Sequence, residues 1–392
     1  MNIDELRSSL LMEQKNGYQS LTAQQREEME SYAKRYAAFM DACKTEREAT
    51  AWATEQAIAH GFKPAVPGME VKPGDKIYLN NRGKSFLFAV IGTEPLSQGA
   101  NICAAHVDSP RMDLKPNPLY EDAEIAFFKT HYYGGIKKYQ WTCVPLAIHG
   151  VVCRKDGSTV TVTIGEDESD PILVVSDLLI HLSADQMQKT SAQVIAGEQL
   201  NVILGTEPVT GEGADLVKLN VMRLLNEKYG IIEEDFRSAE LTVVPAGRCR
   251  EVGLDRSLLG AYGHDDRVCA YAEIEPMLTL PTPKHTAVCI LADKEEIGSV
   301  GATGMRARYF ENAVAELIAL TGQYTDLTLR RALASSRMLS SDVSAGFDPA
   351  FAGVFEKKNA VNGFYRFACS LNVSAVGEEK RILSRYEKIT VC

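Results

Sequence analysis

The chain has 392 residues, enough to bury a large core and more readily two domains than one. Its 42 basic residues stand against 52 acidic ones, and a net charge of -10 offers no electrostatic footprint for nucleic acid or another polyanion. The opening MNIDELRSSLLMEQKNGYQS lacks a basic leader followed by an apolar stretch and a cleavage site, and no later run is apolar enough to span a bilayer, so a soluble cytoplasmic protein without membrane contact is expected.

Two helices are predicted first. Thr22 with Gln25, and Thr45 with Glu48, have capping-box spacing, and Met29, Tyr32, Tyr36, Phe39, Met40 and Cys43 recur at helical period. After Gly61 the pattern changes to short strand-like runs, KIYLNN, SFLFAVIG and NICAAHVD, separated by Gly and Pro. His106 then falls where a buried strand runs out, the place where ligands collect in open α/β sheets. From about Arg111 to Arg248 the texture is β-rich: VVCRKDGSTVTVTIG reads as a hairpin with Asp156 and Gly157 at its turn, and no cluster of metal-ligand type appears. The α/β alternation returns with LTVVPAG, a helix opening at Asp265, the strand TAVCILA and an amphipathic helix around Phe310, Val314, Leu317 and Ile318. This order predicts an α/β fold in which a discontinuous catalytic domain, residues 1–110 and 249–392, is interrupted by a β-rich insertion at 111–248. Nine cysteines without a CxxC pair read as reduced core thiols.

Four segments far apart in the chain carry the side chains from which a pair of hydrolytic metal ions is built: HVDSP, GHDDRV, DKEEIGS and SSDVSAGFDP. Such a pair needs a bridging carboxylate, terminal His and carboxylate ligands, and one unligated carboxylate to take a proton from water. Each segment also has a plainer reading. DKEEIGS alone reads equally as a solvated acidic turn, although it directly follows an apolar strand. His106 alone reads as a satisfied histidine at a strand terminus, or as a ligand whose orientation Asp108 fixes. The GHDDRV acids could simply favour a helix dipole, Asp342 could belong to ordinary loop chemistry, and His264 is expected to be a neighbour rather than a ligand.

Together and in this order, HVDSPRMDLKP, DQMQKT with GEQLNVILGT, SAELTVVPAGRCREVGLDRSLLGAYGHDDRVCAYA, DKEEIGSVGATG, and SSDVSAGFDPAF with VFEKKNA resemble the M18 family of metallo-aminopeptidases, the aspartyl aminopeptidase group and especially its bacterial branch. The resemblance implies a zinc-peptidase (phosphorylase/hydrolase-like) α/β/α catalytic domain with an inserted dimerisation domain, two divalent ions, most readily zinc, and hydrolysis of the N-terminal residue from peptides. By position it implies that His106 and Asp342 hold one ion, Glu296 the other, and Asp265 bridges them, with Glu295 as general base. It further implies a homododecamer in which His181 reaches a neighbouring subunit's active site. The family pattern ends at about Ala360. The last 32 residues resemble nothing at that place, and the chain has no histidine beyond His285, whereas relatives carry a last metal-binding histidine there. A frameshifted or truncated member with an impaired second metal site is therefore the alternative expectation.

Overall fold

The computed structural model describes residues 2–12 and 16–360 and the backbone of the strand Cys369–Asn372. The expected departure after Ala360 falls, apart from that strand, outside the described residues.

The helices Ala23–Ala42 and Glu46–Ala59 begin at Thr22 and Thr45, and each hydroxyl accepts the amide three residues on while Gln25 or Glu48 reaches back, as the spacing predicts. Two short helices that the sequence reading did not anticipate, Ile3–Leu10 and Gly17–Ser20, precede them and bury no residue.

The three predicted strands form as Lys76–Asn81, Ser85–Val90 and Asn101–His106. They enter a seven-stranded sheet whose order is Lys63–Pro64, Lys76–Asn81, Ser85–Val90, Ala287–Ala292, Asn101–His106, Arg337–Val343, Cys369–Asn372. Alternation along Asn101–His106 sends Cys103 and Ala105 to one core and Ile102 and Ala104 to another. The first core packs under the helices Ala23–Ala42, Glu46–Ala59 and His264–Thr279, and the second under Tyr309–Thr321 and Asp326–Ser335. With both faces covered, every residue of Ser85–Val90 is buried, which is why FLFAV is a continuous apolar run rather than alternating.

The strands Ala287–Ala292 and Arg337–Val343 both run parallel to Asn101–His106, and Ala292 is the register partner of His106. Three strands thus end together at one edge of the sheet. Loops at the carboxyl ends of parallel strands are where such sheets bind ligands.

From Arg111 the chain enters a second, antiparallel sheet ordered Thr159–Ile164, Leu146–Cys153, Ala239–Pro245, Arg111–Asp122, Ile125–Tyr133, Val202–Gly205, Val174–Val175. The predicted hairpin is there, with Gly157 at φ +83 in its turn. LTVVP belongs to this sheet, as the strand Ala239–Pro245, and not to the α/β alternation it was expected to reopen. A short apolar run reads the same in a parallel or an antiparallel sheet when both its neighbours are strands. The helix Leu216–Tyr229 completes the core of this second unit.

Buried charges join the two units. Glu46 pairs with Lys84 at 3.0 Å and with Arg111 at 3.1 Å, and Lys84 and Arg47 both reach Glu240. Burial would raise the Glu46 pKa, but the two cations outweigh it and hold the carboxylate ionised. Removing either cation would leave the buried Glu46 carboxylate with a single partner, so this seam specifies how the units dock. Cys43, Cys269 and Cys289 are buried in the core as expected, whereas Cys143 and Cys153 are exposed. Among the described residues no helix is long and apolar enough to cross a membrane.

Candidate metal centre

His106 closes its strand with an imidazole only 3% exposed. Its Nδ1 lies 3.0 Å from the Asp108 carbonyl oxygen, an acceptor, so Nδ1 carries a proton and Nε2 is the atom turned outward. Nε2 stands 3.2 Å from Asp265 Oδ1, 3.8 Å from Glu295 Oε2 and 4.0 Å from Asp342 Oδ1. The three acids come from three different chain segments: Glu295 follows the strand Ala287–Ala292, Asp342 lies near the end of Arg337–Val343, and Asp265 opens the helix His264–Thr279 that packs on the same sheet.

The turn after Ala287–Ala292 is what delivers Glu295 and Glu296. Lys294 adopts φ +67, a left-handed conformation uncommon outside glycine, and the chain reverses there into the short turn Glu295–Ile297. The reversal aims two amides at one buried carboxylate: Glu295 N–H donates to Asp108 Oδ1 at 3.1 Å and Glu296 N–H to Asp108 Oδ2 at 3.2 Å. The Tyr133 hydroxyl donates to the same Asp108 Oδ2 at 2.6 Å. Asp265 is fixed from its backbone, since Ser109 Oγ donates to its carbonyl oxygen at 2.8 Å. The helix His264–Thr279 does not open regularly at Asp265 as predicted; Asp265 and Asp266 keep non-helical backbone angles, and the Asp265–Asp266 peptide is cis.

So many acids about one imidazole perturb one another. Burial alone would depress the His106 pKa, yet hydrogen bonding to Asp108 and Asp265 and the charge of Asp266 raise it to about 11. Glu296 is pushed up to about 7, first by burial and then by the charge of Asp265, and Glu295 is raised by burial and by Asp342 against the pull of His106. Protons are retained where carboxylate charges would otherwise repel, and a cation would satisfy the same field. The donor atoms are placed to hold one: His106, Asp265 and Glu296 present ligand atoms within 4.8 Å of one another, and so do His106, Asp266 and Asp342. One imidazole nitrogen with carboxylates suits zinc. The Asp265 and Glu295 side chains are 54% and 48% exposed, so the groups open to solvent on the side away from Asp108.

The structure therefore brings together His106, Asp108, Asp265, Glu295, Glu296 and Asp342. His181 is exposed in the turn Ile180–Leu182 and belongs to neither donor group. His264 turns away, its Nδ1 2.7 Å from the Tyr36 hydroxyl, and burial lowers its pKa to about 4. One participant escaped sequence reasoning, and another was seen but given no role. Tyr133 arrives from the second sheet with no motif around it, and Asp266, one of the two GHDDRV acids, is fully buried and joins the Asp342 group, though nothing in that segment distinguishes it from Asp265.

Comparison with known proteins bears on this geometry. A family model described as Aminopeptidase I zinc metalloprotease (M18) matches residues 39–370. A probable M18 family aminopeptidase 1 of Clostridium acetobutylicum is 50% identical over 358 residues, covering 90% of this chain and 77% of the relative. The crystal structure of an M18-family aminopeptidase from Thermotoga maritima superposes with a TM-score of 0.86 at 41% identity, over 91% of this chain and 78% of that one. Aminopeptidase I from Clostridium acetobutylicum gives 0.82 at 46% identity, over 90% and 77%. The fold also extends to a more distant structure, the S. cerevisiae mApe1 dodecamer, with a TM-score of 0.68 at 21% identity, over 85% and 76%.

Proposed function

This chain belongs to the M18 family of zinc metalloproteases, whose members compared above are aminopeptidases, and from that premise we propose how its own residues carry the reaction. Two divalent ions, zinc in both places, would be held by these residues, His106 and Asp342 binding one and Glu296 the other, with Asp265 available to both. Bound there, the ions supply Lewis acidity that makes a water more acidic and polarises the scissile carbonyl. A Glu295 carboxylate oxygen accepts the proton of the attacking water and passes it to the departing amine. Its position, 3.8 Å from His106 Nε2 yet outside both donor groups, supports that role. Asp108 orients His106 and both turn amides and touches no reactant. The substrate is a peptide that loses its N-terminal residue.

In the same proposal residues 1–110 and 249–392 form the catalytic unit, and 111–248 an inserted unit for dimerisation in a cytoplasmic homododecamer. The assembly of the S. cerevisiae relative supports this, as does the apolar exposure around His181, which would reach a neighbouring subunit's site. The observation that carries the functional reading is that His106 Nε2 stands 3.2 Å from Asp265 Oδ1, 3.8 Å from Glu295 Oε2 and 4.0 Å from Asp342 Oδ1, acids from three separate segments around one imidazole nitrogen. His106→Ala should therefore lose bound zinc and the hydrolysis of aminoacyl p-nitroanilides together; a variant that kept its zinc would overturn the ligand assignment.

A further inference from the structure

The strand Ile125–Tyr133 belongs to the second sheet, yet its end lies against the metal centre of the first. Tyr133 is buried, and its hydroxyl donates to Asp108 Oδ2, the oxygen that also takes the Glu296 amide. Its ring is held in turn. Arg111, the register partner of Tyr133 in the neighbouring strand, lays its guanidinium over the ring at 4.1 Å from the centroid. Arg111 is itself fixed by Asp113 at 2.8 Å and by Glu46 at 3.1 Å.

The next residue supplies an independent contact. Gly134 has φ +72, and a Cβ built there would lie 3.3 Å from both Glu296 Cβ and Pro110 Cβ and 3.4 Å from Glu296 Oε2. Tyr133 at the end of the second sheet and Gly134 just after it thus reach the acid shell, one through a hydrogen bond and one by leaving room for the Glu296 side chain.

We propose that Tyr133, with Gly134 beside it, is a positioning residue of the metal centre, acting through the Asp108 carboxylate on the turn that carries Glu295 and Glu296. The inference rests on the ligand set proposed above. Asp108 accepts two amides and a phenol on its two oxygens. Without the phenol its carboxylate can rotate, and the turn whose two amides it accepts loses its reference, while the imidazole keeps its bond to the Asp108 carbonyl oxygen. The second sheet then does more than assemble subunits, because its strand end sets the geometry of the site.

Tyr133→Phe removes one oxygen and keeps the ring beneath Arg111. In the full chain, competition with a chelator should show zinc affinity reduced about tenfold to a hundredfold, the usual effect of losing an outer partner of a metal ligand. At saturating zinc, kcat should fall while KM changes little. Gly134→Ala tests the same positioning by crowding Glu296 and should weaken zinc binding too. Tyr120→Phe, on the same sheet with its ring stacked on Phe127, should leave both readouts unaltered. If His106→Ala loses zinc but Tyr133→Phe keeps the original zinc affinity and kcat, this inference alone is overturned. If Tyr133→Phe only melts earlier, with both readouts unchanged, the residue is structural and the inference is again wrong. If His106→Ala keeps its zinc, the ligand set fails and the inference falls with it.

Discussion

Asp108 and Glu295 lie 187 positions apart in the chain, and the Glu295 amide donates to the Asp108 carboxylate at 3.1 Å. Everything that approaches the two Asp108 oxygens from Glu295, Glu296 and Tyr133 is a donor. Burial would raise the Asp108 pKa, but hydrogen bonds from His106 and Tyr133 outweigh it and keep the group below its ordinary value. An amide cannot replace this acceptor, since its NH2 would face donors. Asp108→Asn should therefore cost on the order of 1–3 kcal/mol of stability and about tenfold to a hundredfold in zinc affinity. Denaturant unfolding and chelator competition would measure the two, and an Asn variant with unaltered zinc affinity would remove Asp108 from the orienting role.

Glu295 and Asp265 should respond to amidation in opposite ways. If Glu295 only moves a proton, Glu295→Gln keeps zinc and loses turnover by about a hundredfold or more. Asp265, 3.2 Å from His106 Nε2 and grouped with Glu296, is needed for binding, so Asp265→Asn should release metal. Metal analysis beside steady-state kinetics separates the two outcomes. Full activity in Glu295→Gln would dismiss it as the base.

What could be read from sequence was local. The Thr22–Gln25 and Thr45–Glu48 caps, the buried strand ending at His106 and the acids directly after Ala287–Ala292 each depend on a few neighbouring residues, and all appear where the pattern put them. What depended on distant partners was not legible. The strand Ala239–Pro245 carries no mark of which sheet it will join, because register with Leu146–Cys153 decides that. Asp266 looks like its neighbour until the irregular opening of its helix buries one acid and exposes the other. Tyr133 meets Asp108 only through the pairing of Arg111–Asp122 with Ile125–Tyr133.

Leu178, Leu179, Ile180, Leu182 and Met187 are all more than half exposed, an unusual concentration of apolar side chains in one stretch of chain. If this stretch lies between subunits, charges placed there will face a buried partner surface. The pair Leu179→Lys and Leu182→Lys should shift the particle mass in light scattering to smaller species while leaving the monomer's fold intact by circular dichroism. An unchanged particle mass would count against this segment as an interface.

The last expectation concerns pH and a histidine remote from the metal centre. His149, on the strand Leu146–Cys153, sits buried between Glu48 at 2.7 Å and Glu166 at 3.1 Å, and so bridges a helix over the first sheet to the second sheet. Burial alone would lower its pKa, but hydrogen bonds to Glu166 and Glu48 raise it from 6.5 to about 9. In the unfolded chain the imidazole loses its proton near 6.5, so between these values the folded state binds the extra proton and stability falls as pH rises. The contribution is full below about pH 6.5 and lost above about pH 9, with a span on the order of 3 kcal/mol. His149→Gln cannot titrate. The difference between the unfolding free energies of the original chain and this variant, at matched zinc content, cancels the other titrating groups and should decline through that window. A difference that stayed flat from pH 6 to pH 9 would mean that His149 is neutral in the folded protein and that the two glutamates are held by other donors.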